Sequence, residues 1–162
     1  VDTSKLWDMM KHIRFGMLTT RGSDGRLYSR PMTTRNGEAD HGGVIWFFLS
    51  RTSPQVADVT ASPDVNVTYA DPDSDRYVSV SGTARLVDDP AKKQELWSAE
   101  AERRFPGGVG DPDLALVAIL VAEAEYWDMT TDKAVRIFKL AQAPPTGAES
   151  TGSTARPRFR MR

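Results

Sequence analysis

Four consecutive residues, Ser50, Arg51, Thr52 and Ser53, stand where an apolar run, Val44 to Leu49, gives way to a helix start at Ser53-Pro54. A strand end opening onto a helix N-terminus gathers hydroxyls, a guanidinium and unsatisfied backbone N–H groups around one point. That is the chemistry of an anion site, and of a phosphate in particular. A helix cap alone would also account for the Ser-Pro pair. A second feature adds weight: Tyr28-Ser29-Arg30-Pro31-Met32 sets an arginine in a strand, where a charge needs either an anion or solvent. Pro31 has no N–H to give to a ladder, so that strand has an open edge. Trp7, Trp46, Trp97 and Trp127 offer flat surfaces for stacking a planar ring, although each taken singly suits a core as well.

The residue types also exclude chemistry. There is no cysteine, hence no disulfide framework, no thiol nucleophile and no Cys-ligated metal. His12 and His41 lie on the first helix and in a Gly-rich turn with no partner at metal-ligand spacing, so no metal is expected. No G-x-S-x-G elbow, P-loop or G-x-G-x-x-G follows a strand, since Gly107, Gly108 and Gly110 have the wrong spacing. The acid pairs Asp71/Asp73 and Asp111/Asp113 sit in Pro-containing turns, where turn initiation and capping explain them. The sequence assigns no catalytic residue.

The elements that must position these groups follow from periodicity. Leu6, Met9, Met10 and Ile13 fall on one helical face after Thr3 or Ser4. Phe15 to Thr20 and Leu27 to Met32 read as a hairpin around Asp24-Gly25. A helix from Ser53-Pro54 runs to about Ala61, where Ser62-Pro63 stops it, and Val65 to Ala70 is a strand. From Tyr77 to Val87 the alternation is nearly unbroken. Asp89 caps a helix that begins at Pro90 and includes Leu96 and Trp97. Leu114 to Val121, Ala124 to Met129 and Val135 to Leu140 close the pattern. Six to eight antiparallel strands with three short helices argue for a mainly β (α+β) barrel-like core, not a doubly wound parallel sheet.

The chain's 162 residues, 40% of them hydrophobic and 27% charged, suit one soluble domain. Its longest apolar run, Leu114 to Ala122, is far short of the ~20 residues that span a bilayer. Without a signal-like segment, a cytoplasmic protein is expected. The net charge of −1 is unevenly spread. Residues 141–162 hold four arginines against one glutamate among Pro, Gly and Ser, and read as a flexible tail outside the 1–140 domain. Four charges without a folded platform make nucleic acid an unfavoured partner.

Several blocks, taken in order, resemble one family. They are Leu6-Trp7, Gly16-Met17-Leu18-Thr19-Thr20, Ser29-Arg30-Pro31-Met32, Trp46-Phe47-Phe48 with Ser50, and Arg76 to Ala84. Leu96-Trp97, Phe105-Pro106-Gly107-Gly108 with Asp111 to Leu116, and Ala124-Glu125-Tyr126-Trp127-Asp128 complete the set. Together they resemble the pyridoxamine phosphate oxidase-like flavoproteins, in their bacterial general stress protein branch. The resemblance implies a homodimeric split β-barrel with flavin sites across the subunit interface. It implies FMN, with FAD as the alternative, and an FMN-dependent oxidoreductase acting on a small molecule. A non-catalytic flavin carrier or sensor, and a cofactor-free dimeric module, are the competing readings. Carried onto this chain, Arg30 would meet the phosphate or ribityl chain, the Arg30, Pro31 and Met32 backbone would lie along the isoalloxazine, and Ser29 would be a further cofactor-binding residue. Leu49, Ser50, Arg51, Ser53 and Gln55 would form the phosphate side, and Trp97 and Trp127 would approach from the partner. The chain departs from the family's usual pattern at Gln55, commonly a lysine, and at Arg104, often an aromatic.

Overall fold

Apolar residues alternating with a period of two dictate a sheet. The computed structural model, which describes residues 3–40, 43–130 and the backbone of 133–139, holds one sheet of seven antiparallel strands. The elements run α1 (Ser4–Met10), β1 (Phe15–Arg21), β2 (Leu27–Thr33), β3 (Val44–Ser50), α2 (Pro54–Ala61), β4 (Asp64–Asp71) and β5 (Arg76–Val87). They continue with α3 (Pro90–Leu96), α4 (Ala99–Arg104), β6 (Leu114–Asp128) and β7 (Lys133–Lys139). The spatial order is β2-β1-β4-β5-β6-β3, with β7 also paired to β6.

The sheet curls until its ends meet at one point. The Arg35 N–H donates to the Trp46 carbonyl at 2.8 Å, and the Asn36 side chain bridges Val44 O and Trp46 N at 2.7 and 2.9 Å. Among the described residues β2 pairs over its own length with β1 alone, so the barrel is split between β2 and β3. Leu18, Val67, Tyr69, Val80, Ile45, Phe47 and Val117 fill the interior, and α2 adds Val56 and Val59 at the mouth. A second, smaller core lies outside the wall, where α3 and α4 cover Phe48, Leu114 and Leu116 with Leu96 and Ala101.

The structure departs from the sequence reading in four places. Leu114–Val121 and Ala124–Met129 are one strand, because Ala122 is absorbed as a bulge: Ser81 pairs with Glu123 while Gly82 pairs with Val121. Gly82 permits the close approach, since a Cβ there would run into the Leu120 carbonyl oxygen. The helix at Pro90 stops at Leu96. Trp97 turns extended, and Ser98 caps an additional helix, its hydroxyl accepting from Ala101 N at 3.2 Å. The first helix ends at Met10, which leaves His12 in the following loop and not on the packing helix. His41, Leu140 and the 141–162 tail lie outside the described residues.

One side chain ties α4 to the barrel. Glu100 lies 3.5 Å from Arg14, 3.8 Å from Arg35 and 3.9 Å from Arg104. Arg35 is buried against the Phe48 ring, and its Nε has no partner among the described residues. Burial pulls the guanidinium's pKa down, and Glu100 opposes the pull.

Candidate functional site at the split

The cross-strand register decides where Arg30 points. It stands opposite Leu18, a core residue, so it shares the inward face of the sheet, at the edge strand that borders the split. With no further strand beyond it, the guanidinium emerges at the barrel mouth instead of in the core. Gln55, in the first turn of α2, meets it there. With its amide oxygen turned toward Arg30, Gln55 accepts from Nη1 at 3.0 Å and from Nε. Gln55 is 6% exposed, so this neutral group is the buried end of the pair. One turn further along α2, Asp58 accepts from Thr20 Oγ1 at 3.0 Å.

Ser53 stands at the N-cap of α2, with extended backbone and Pro54 following, as the sequence leads one to expect. Its hydroxyl, however, makes no capping bond and, although buried, has no partner among the described residues. A buried hydroxyl without a partner costs about 1–3 kcal/mol, so the position asks for a ligand atom or an ordered water. Together Arg30, Ser53 and the free N–H groups of the first turn of α2 form the anion-accepting set.

Ser50, Arg51 and Thr52 turn to a different partner. The Ser50 hydroxyl donates to Asp113 Oδ2 at 2.5 Å, Thr52 N–H to Asp113 Oδ1 at 3.3 Å, and Arg51 Nε to the Pro112 carbonyl at 3.2 Å. The hydrogen bond from Ser50 leads a set of contacts that hold the Asp113 carboxyl below its usual range. Asp113 thus occupies the Ser50 hydroxyl and the Thr52 N–H, two of the donors that the sequence reading offered to a phosphate. Leu49 lies inward in the main core.

Ser29 and Pro31 point the other way, onto the outer sheet face. Ser29 is hydrogen bonded there to Thr19, and Met32 returns inward beside the core. Trp97 is packed edge-on against Phe48, 5.7 Å between centroids, in the small outer core. Trp127 pairs across from Tyr77 at the far end of β6. Within one chain, then, the structure brings Arg30 to Gln55, in the helix turn that Ser53 begins. It does not bring Trp97 or Trp127 to them.

The sequence reading missed the reach of Asp113 and the presence of Asp58. Asp111 does cap its turn, accepting from Asp113 N–H at 2.9 Å. Its neighbour reaches the β3 end instead, because the turn delivers β6 beside β3 and so sets Asp113 next to Ser50. Only the β3–β6 pairing carries that signal, and pairing is not local in sequence.

Comparison with known proteins bears on this site. The profile of the family described as "Pyridoxamine 5'-phosphate oxidase like" matches residues 2–151. General stress protein 26 of Bacillus subtilis is 28% identical, over 71% of this chain and 80% of that protein. The general stress FMN/FAD binding protein of Xanthomonas citri has a crystal structure similar to this one with a TM-score of 0.68. It is 29% identical and is matched over 94% of this chain and 98% of that one. A protein of Clostridium acetobutylicum related to general stress protein 26 has a TM-score of 0.72 at 19% identity, over 85% of this chain and 94% of that one. At that identity it speaks for the split-barrel fold.

Proposed function

Since this chain belongs to the pyridoxamine 5'-phosphate oxidase-like family, we propose that it binds a flavin, FMN first, at the split and acts as a flavin-dependent oxidoreductase on a small molecule. The observation that carries the reading is the buried Ser53 hydroxyl at the N-terminus of α2, without a partner among the described residues, two positions before the Gln55 that receives the Arg30 guanidinium. A phosphate seated there would give Ser53 its missing partner. The FMN/FAD binding relative supports the ligand class.

In this reading Arg30 and Ser53 hold the phosphate, Gln55 fixes the guanidinium from behind, and the open edge of β2 from Ser29 to Met32 faces the ring. The flavin, when bound, supplies the redox chemistry; the protein's part is to place it and shut out water. That division fits a site in which no acid–base pair was found by sequence.

The homodimer belongs to the same proposal. The outer sheet face, from Pro31 through Met17, Thr68 and Ser79 to Glu125, crosses five strands in register. Met17 on this face is 39% exposed. Trp127, on that face, suits a contribution to the partner's flavin better than Trp97, whose ring is engaged with Phe48. Cytoplasmic residence belongs to the same proposal.

The test is titration of FMN and riboflavin into the wild type and Arg30→Ala. The variant should stay folded and bind FMN at least ~10-fold more weakly, since a hydrogen bond to a charged group contributes about 1.5–3 kcal/mol. Riboflavin should lose much less. Unchanged FMN affinity in a folded variant removes Arg30 from the site. Reduction by a nicotinamide donor and reoxidation by a substrate then separates an enzyme from a carrier.

A further inference from the structure

The bend that carries β3 into α2 is bonded throughout to the short turn that opens β6. Asp113 supplies most of the contacts. Its Oδ2 accepts from the Ser50 hydroxyl at 2.5 Å, its Oδ1 from Thr52 N–H at 3.3 Å, and its backbone carbonyl from Arg51 N–H at 2.6 Å. Arg51 Nε adds a bond to the Pro112 carbonyl at 3.2 Å, and within the bend Ser53 N–H donates to the Ser50 carbonyl at 3.0 Å. Each residue from Ser50 to Ser53 is therefore held by Asp113 or by the bend itself. The Ser53 hydroxyl is the exception, buried and without a partner among the described residues.

The turn is itself a firm support. Asp111 accepts from Asp113 N–H at 2.9 Å through its carboxylate and from Leu114 N–H at 3.0 Å through its carbonyl. Leu114 stands opposite Ser50 in the β3–β6 ladder, and Lys93 on α3 donates to the Leu114 carbonyl at 2.7 Å. The Ser50 hydroxyl leads the contacts that keep the Asp113 carboxyl below its usual range. At neutral pH the acceptor is thus a full carboxylate, and its bonds are of the stronger, charge-assisted kind.

We infer that Asp113 is a positioning residue of the flavin site: it sets the bend that places Ser53 and the first turn of α2 against the phosphate. The inference rests on the flavin reading above and adds to it a residue that acts through the bend without touching the ligand. The alternative, a carboxylate that only competes with the ligand for donors, has the opposite sign. Removing a competitor would release the Ser50 hydroxyl and the Thr52 N–H to the phosphate and tighten binding. Removing a support lets Ser53 and the helix start drift, and the phosphate is held less well.

The experiment titrates FMN and riboflavin into the full chain freed of flavin, as the wild type, Asp113→Ala, Asp113→Asn, Ser50→Ala and the double variant Asp113→Ala/Ser50→Ala, with urea unfolding run on each. Asp113→Ala should bind FMN about tenfold more weakly, as displacement of a positioned group does, while riboflavin changes less than about twofold. Asp113→Asn keeps one acceptor oxygen and the shape of the side chain, so it should recover part of the loss, and it carries the test if the alanine variant unfolds. Ser50→Ala removes one bond through which Asp113 acts, so the double variant should be no weaker than Asp113→Ala alone. FMN binding that tightens or stays the same in the folded Asp113 variants would overturn the inference. So would an equal loss for riboflavin, or losses at Asp113 and Ser50 that simply add. Each of these leaves the flavin reading intact, whereas a wild type that binds neither ligand would remove that reading and the inference with it.

Discussion

Two serines three residues apart have opposite fates. Ser50 donates to Asp113, whereas Ser53 is buried with nothing to bond. Nothing local tells them apart, because the difference lies in which distant segment arrives beside each. The helix start, its Pro54 and the open edge at Pro31 could be read from the chain directly, since each depends on the backbone of a few neighbours. The meeting of Arg30 with Gln55 could not. Glu100 offers a test at the same scale. It is the carboxylate nearest the buried Arg35, at 3.8 Å, and Glu100→Gln leaves that guanidinium without a counter-charge. Breaking a fully buried pair costs about 3–5 kcal/mol; with Glu100 a quarter exposed, a loss of about 2 kcal/mol in urea unfolding is expected. Arg104→Ala, at the exposed end of the same cluster, should stay within about 0.5 kcal/mol. Equal effects would mean that Glu100 acts by packing.

At the scale of elements, the strands were legible and their continuity was not. Tyr77 to Val87 reads as one strand because its alternation is unbroken. Leu114 to Asp128 reads as two because the parity of its apolar residues slips at Ala122. The slip is a bulge, so the strand bends without ending. Gly82 is the partner that makes the bend possible. Gly82→Ala must push the Leu120 carbonyl aside, and should cost about 2 kcal/mol, in the range of other forced overpacking. Ala122→Gly, on the bulged strand itself, should cost less than half as much. If the two variants unfold at the same urea concentration, the close approach is relaxed more readily than its geometry implies. The short α4 escaped notice for a different reason: six residues carry too little periodicity to stand out from a loop.

For the molecule as a whole, β6 is the strand on which closure depends. Its first half holds β3 and its second half holds β7 on the same edge, while β5 runs along the other. All seven residues of β3 pair with Leu114–Leu120, yet α2, β4, β5, α3 and α4 lie between them in the chain. Hydrogen-exchange pulse labelling during refolding should therefore find the β1–β2 hairpin protected early, and the amides of Phe47 and Leu49 protected only together with those of β6. Early protection of β3 would show a non-native partner. The same arrangement governs synthesis. A chain emerging N-terminus first presents Val44 to Leu49 long before its partner strand exists, and a bare apolar edge is what other nascent chains and chaperones seize. Arg30 and the helix that meets it are made early, but the wall that seats them is completed late. A ribosome that stalls before Leu114 therefore leaves an adhesive fragment, and the cell's handling of that interval is part of what the long last-arriving strand demands.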